Sequence, residues 1–169
     1  ELTARNAVIM DGASGHVVWG LREHERIAPA STTKILTALL ALERGNLNDQ
    51  ITVRYEHVRP LEGTDSSLMG LVIGDRISLE QLLYGLMVAS GNDAALVIAH
   101  LIAGSAEEFV GMMNQKVAEL GLRNTHFTNP HGLDDDDHYS SAYDLAEMGR
   151  IALRNPVFAK IVATSRIEI

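Results

Sequence analysis

Pro29-Ala30-Ser31-Thr32-Thr33-Lys34-Ile35-Leu36-Thr37-Ala38-Leu39-Leu40-Ala41-Leu42 is the stretch that decides the fold. From Ile35 onward it is apolar nearly all the way round, and a helix without a polar face is a buried helix. Its first turn therefore carries a lone cation, Lys34, into the interior. Ser31 stands three residues earlier, and a step of three on a helix brings two side chains onto one face within reach of each other. Burial disfavours an ammonium and lowers its pKa, so part of Lys34 is the free amine that a serine nucleophile needs. The helix is expected to start at or just after Ser31, where unpaired backbone N–H groups favour a developing negative charge. Taken alone, Ser-x-x-Lys is more economically a helix cap at Ser31 with Lys34 snorkelling to solvent. A second element decides between the two.

The rest of the composition narrows the class. With 169 residues and 46% hydrophobic content, the chain can build one domain around a real core. A net charge of -8, with four acids at Asp134 to Asp137, argues against nucleic acid or an anionic membrane surface as partner. The acidic run itself is expected to be a solvated loop. Cysteine is absent, which excludes disulfides and thiol chemistry. No stretch reaches the roughly 18 apolar residues of a membrane span. No signal peptide is visible, and export would place Glu1 behind a removed leader.

Along the chain, Ala7 to Met10 and His16 to Trp19 are β-prone runs joined by Asp11-Gly12-Ala13-Ser14-Gly15, the pattern of a hairpin. Gly45-Asn46 stops the buried helix, and Gln50 to Tyr55 alternates like a short strand inside an irregular stretch reaching Asp75. Ser78-x-x-Gln81 is a capping box opening a helix from about Leu79 to Ala89. A further helix starts at Asn92 or Asp93 and runs to about Ala103. Ser105-x-x-Glu108 caps one ending at Gly121, and Ser141-x-x-Asp144 caps another ending near Asn155-Pro156, where a short last helix begins. Ser165 to Ile169 returns to period two, as a strand does. A hairpin, a helical block and this final strand predict an α+β architecture in one domain, residues 1–169, whose sheet needs further strands.

Ser90-Gly91-Asn92 is the second element. It lies between the apolar runs Leu86-Met87-Val88-Ala89 and Ala94-Ala95-Leu96-Val97, so its hydroxyl and amide are poorly solvated. An unpaired buried polar group costs on the order of 1 to 3 kcal/mol, and Lys34 is a suitable partner. In isolation, Ser90 or Asn92 serves equally well as a cap for the helix that follows.

Together, Ser31-Thr32-Thr33-Lys34 and Ser90-Gly91-Asn92 resemble two of the three signature motifs of penicillin-binding proteins and serine β-lactamases. The similarity continues through Asp93-Ala94-Ala95, Gly104-Ser105, Phe109, Met113-Asn114, Leu120-Gly121-Leu122, Thr125-His126-Phe127, His131-Gly132-Leu133 and Ser141-Ala142-Tyr143-Asp144-Leu145-Ala146. That order is similar to the low-molecular-mass D-alanyl-D-alanine carboxypeptidases, serine peptidase family S11, over nearly the whole chain. The resemblance implies a β-lactamase/transpeptidase-like α+β fold. It also implies an acyl transfer that removes the terminal D-alanine of a peptidoglycan stem peptide, with β-lactams acylating the same serine.

By this resemblance Ser31 is the acylated nucleophile, Lys34 its base and Ser90 a proton relay toward the leaving amine. Asn92, with Gly91, binds substrate or Lys34, and the Ser31 backbone N–H forms half of an oxyanion hole. No metal or other cofactor is implied, and His24-Glu25 lacks the second histidine of a His-Glu-x-x-His site. His131 is read as structural, holding the loop after Asn129-Pro130. His16, His57, His100 and His138 are assigned surface or packing roles. An exported, extracytoplasmic location follows from the wall substrate, with any membrane anchor outside these residues.

One departure stands out. The third signature, Lys-Thr/Ser-Gly, is missing, since Lys160 is followed by Ile161-Val162 and no later lysine occurs. The expectation is therefore that these residues are part of a longer or cleaved protein whose remaining strands carry it. Two alternatives stay open: a non-catalytic peptidoglycan-binding module, and a serine β-lactamase. The second is weakened because Ser-Gly-Asn stands where class A enzymes have Ser-Asp-Asn, and because no Glu-x-x-x-Asn element follows position 121.

Overall fold

A computed structural model describes residues 3–168. Strands β1 (Ala7–Met10) and β2 (Val17–Leu21) form an antiparallel hairpin that pairs Ile9 with Trp19 and Ala7 with Leu21. The second strand begins one residue later than its β-branched run suggests and extends to Leu21. The turn before it is closed by Asp11, which accepts from the Ser14 N–H and hydroxyl.

A short 3-10 turn, Ala30–Thr33, leads into α1 (Lys34–Arg44). Every residue from Leu36 to Ala41 is buried, as its uniform apolarity requires. Helix α1 is the hub of the molecule. It packs against α3 (Leu79–Val88), α4 (Asn92–Ala103), α5 (Ala106–Glu119), α6 (Ala142–Ala152) and α7 (Pro156–Val162). Truncating a fully buried leucine there, such as Leu40, costs about 2 to 5 kcal/mol.

The helix starts follow their side-chain signals. Ser78 accepts from the Gln81 N–H at 3.3 Å while the Gln81 side chain takes the Ser78 N–H at 3.0 Å, the reciprocal pair of a capping box. Ser105 and Ser141 accept from the N–H groups of Glu108 and Asp144. Asn155 caps α7, with Pro156 at its first position. Gly104 ends α4 in the left-handed conformation, φ +85°.

Three expectations need correction. The predicted strand Gln50 to Tyr55 stops at Thr52; β3 (Gln50–Thr52) pairs with β4 (Arg76–Ser78), and Tyr55 opens a one-turn helix, α2 (Tyr55–Val58). Here the His57 ring accepts from the Arg54 N–H, a local bond that competes with strand pairing. The first motif opens in a 3-10 turn and only becomes α-helical at Lys34. Ala30, at φ +47°, takes up the sharp change of direction. Finally, residues 165–168 form no strand, because period two alone supplies no neighbour to bond with; Ile169 lies outside the described residues. Among the described residues, no single helix is long and apolar enough to cross a membrane.

Candidate active site

The 3-10 turn leaves Ser31 exposed while the next turn buries Lys34, of which only 2% is accessible. Lys34 Nζ lies 3.2 Å from Ser31 Oγ, and Ser90 Oγ donates to the same oxygen at 3.0 Å. Ser90 reaches it from the turn between α3 and α4, where its own φ is +55°. A serine held in the left-handed region costs energy that the surrounding structure has to offset, and such residues cluster where geometry matters. Two segments far apart in sequence thus converge on one hydroxyl.

The other side of the amine is formed by residues 128–133. The His131 carbonyl accepts from Lys34 Nζ at 2.6 Å, and the Pro130 carbonyl accepts from Thr37 Oγ1 at 2.7 Å. Asn129 shapes this loop by accepting from the N–H groups of His131 and Gly132. Gly132, at φ +100°, sits so close to residues 30 and 31 that a Cβ there would overlap the Ala30 carbonyl and crowd the Ser31 nitrogen. No side chain could replace it without moving the backbone at Ala30, next to Ser31.

Electrostatics follow from this burial. Among the described residues no carboxylate lies within 4 Å of Lys34 Nζ. Removal from water therefore acts unopposed and lowers its pKa to about 8. Burial, then repulsion from Lys34 and His138, lowers His131 to about 4. His131 is thus neutral, and its Nδ1 accepts from the Leu133 N–H. His138 is also lowered by burial, against the pull of Asp135 and Asp134.

Ser31, Lys34 and Ser90 are brought together; of the two partners expected for Asn92, Lys34 is not the one it bonds. Asn92 Nδ2 donates to Ser66 Oγ at 3.0 Å, and the Asn92 N–H to the Ser67 carbonyl at 2.8 Å. No hydrogen bond joins Asn92 to Lys34 among the described residues. Gly91 is buried, and a Cβ on it would press on the Met69 nitrogen and the Gly85 carbonyl. Its place is in close backbone packing.

The reason lies in Asp93, which sequence reasoning passed over. Its buried carboxylate accepts from the N–H groups of Met69, Gly70, Leu71 and Ala94 at 2.9 to 3.1 Å. It folds residues 66–71 back over the start of α4, where they meet Asn92. The only signal for this was a buried-looking acid at a helix start, shared by many ordinary caps. The His131 carbonyl, a backbone atom, had no sequence signal at all. His138 was assigned a surface or packing role, yet it is 3% exposed and bonds Thr33 Oγ1 through Nε2 at 2.8 Å. The acidic run Asp134 to Asp137 is exposed, as expected. A cleft of about 490 Å³ lies instead along α3, between Met69, Leu71, Tyr84, Val88 and Ile167.

The arrangement is a serine with an adjoining dry amine and a second hydroxyl, which suits nucleophilic acyl transfer. Comparison with known proteins agrees. A family model described as D-alanyl-D-alanine carboxypeptidase, peptidase S11, matches residues 1–168. The Bacillus subtilis D-alanyl-D-alanine carboxypeptidase DacF is 42% identical over 165 residues, covering 95% of this chain and 42% of the relative. Penicillin binding protein 5 from Haemophilus influenzae superposes with a TM-score of 0.92 at 37% identity, over all of this chain and 51% of that one. The Streptomyces K15 DD-transpeptidase gives 0.92 at 31% identity, over 97% and 66%. The chain thus spans about 42% of the length of the Bacillus relative, and its α+β fold is that of the penicillin-binding and transpeptidase structures. On residues 1–168 and on these identities, the chain belongs to the S11 family of D-alanyl-D-alanine carboxypeptidases.

Proposed function

We propose that this chain carries the nucleophile half of a serine D,D-carboxypeptidase site and lies within a single catalytic domain. The observation that carries the reading is the buried Lys34 amine, 3.2 Å from Ser31 Oγ and, among the described residues, without a carboxylate to hold its proton. As the free amine, Lys34 takes the proton of Ser31 while Oγ attacks the carbonyl carbon between the two terminal D-alanines of a peptidoglycan stem peptide. The tetrahedral adduct collapses as the C–N bond breaks. The proton that Lys34 took is relayed through Ser90, which is bonded to Ser31 Oγ, to the departing D-alanine amine, so Ser90 keeps its hydroxyl and Lys34 is again the free amine. Water then attacks the ester, its proton returns through Lys34, and the shortened peptide leaves. A β-lactam follows the first half of this course and leaves its acyl group on Ser31.

Asn92 is the substrate-binding group of this reading, its Oδ1 receiving a substrate amide, and Gly91 permits the close backbone packing that positions it. The peptidoglycan substrate places the protein outside the cytoplasm. The test is incubation with a fluorescent penicillin, peptide mapping of the adduct, and assay of D-alanine release from a stem pentapeptide. A covalent adduct on Ser31, absent in Ser31→Ala, is expected. Peptide binding with neither adduct nor D-alanine release would reject a catalytic role in favour of a binding module.

A further inference from the structure

His138 is buried with both ring nitrogens engaged. Nδ1 accepts from the Thr128 N–H at 3.0 Å, which leaves the ring proton on Nε2. Nε2–H then donates to Thr33 Oγ1 at 2.8 Å. A backbone donor thus selects one neutral tautomer. Phe127 packs against the ring, with centroids 5.3 Å apart.

The two partners are not arbitrary. Thr33 is the residue before Lys34, in the turn that presents Ser31. Thr128 opens the loop whose His131 carbonyl takes the Lys34 ammonium and whose Pro130 carbonyl takes Thr37. One imidazole therefore joins the two segments between which the amine is held. We propose that His138 is a positioning residue for Lys34, tying the Thr33 turn to the 128–133 loop so that the amine stays dry and close to Ser31.

This inference rests on reading Lys34 as the base. Both buried nitrogens need partners, and the ones they have lie on the two segments that enclose the Lys34 amine. The titratable groups that face His138 are Asp134, Asp135, His126 and His131. A doubly protonated ring could not accept from Thr128, so the link exists only while His138 is neutral.

The test is a direct titration of Lys34 by lysine side-chain NMR, which needs no catalysis and has only Lys34, Lys116 and Lys160 to resolve. The unmodified chain should give a Lys34 midpoint of about 8. His138→Ala and Thr33→Val each break the link and admit water, so the midpoint should rise by about one pH unit or more toward the ordinary lysine value. His138→Gln, which keeps one donor and one acceptor, should hold it within about 0.3 unit. Thermal melting confirms folding, and Thr33→Val, nearly unchanged in shape, decides the matter if His138→Ala does not fold. A midpoint unmoved in the folded variants would overturn the positioning role and leave His138 a packing residue. If the midpoint moves but penicillin never labels Ser31, the link stands and the assigned chemistry fails.

Discussion

Lys34 Nζ donates to the His131 carbonyl across 97 residues of sequence, at 2.6 Å. A carbonyl at this position holds the amine by geometry, whereas a carboxylate would fix its charge. That difference is what lets a buried lysine act as a base near neutral pH. It also makes the amine visible in the pH dependence of both stability and reaction.

Lys34 titrates near 10.5 when unfolded and about 8 when folded. Between those values the unfolded chain keeps a proton that the folded chain has released, so stability from this group rises with pH across the window. Below about 8 the full penalty is present. Lys34→Met should remove this dependence and be the more stable protein at neutral pH, by at most on the order of 3 kcal/mol. Urea unfolding of both proteins near pH 7 and near pH 10 measures it; equal slopes in pH would contradict the assignment.

The same amine should govern acylation. The second-order rate of penicillin labelling is expected to climb with pH to a plateau, with its midpoint about 8. Lys34→Met should lower that rate by about 10²- to 10⁴-fold. Stopped-flow labelling over a pH series reads both quantities.

Gly132 faces the Ala30 carbonyl with no room for a methyl group and a φ of +100°. Gly132→Ala should therefore destabilise the fold by roughly 2 kcal/mol or more and misplace Ser31. Penicillin labelling should fall further than the melting temperature alone accounts for, which a comparison at a temperature well below melting will show.

Asp93→Asn replaces an acceptor of four backbone N–H groups with an amide that must turn a donor toward some of them. A loss of about 2 to 4 kcal/mol is expected. Hydrogen exchange should quicken at Met69, Gly70 and Leu71 while α1 stays protected. Uniform quickening throughout would show that the carboxylate serves global stability and not this loop.

Ser90→Ala deletes one hydrogen bond to Ser31 at a half-buried position. Stability should change by about 1 kcal/mol or less. The labelling rate should drop about 10-fold or more, since a proton path is lost. A rate within twofold of the parent would remove Ser90 from the relay.

How far the sequence carried is clear from particular residues. The uniform apolarity of Ile35 to Leu42 was enough to place α1 in the interior, but it left Lys34 between burial and snorkelling to solvent until Ser90-Gly91-Asn92 offered a second element. Ser78, Ser105, Ser141 and Asn155 marked their helices, because a cap bonds within three residues and is written locally. Alternation marked a strand from Gln50, but its partner Arg76 to Ser78 escaped notice, since three residues are too short to show a period and an irregular stretch separates the two. By resemblance Asn92 was expected to bond the substrate amide or Lys34, and it does not bond Lys34. It bonds Ser66 instead, because Asp93 has drawn the intervening loop across it.

From residue order alone came the juxtaposition of Ser31 and Lys34, because a three-residue helical step sets their proximity without reference to the rest of the chain. Folding in three dimensions decided how that pair is held. Ser90, the His131 carbonyl, Gly132 and His138 reach it from segments about 60 to 105 residues away. Contacts of that span depend on helix packing and backbone direction, which periodicity and caps do not encode.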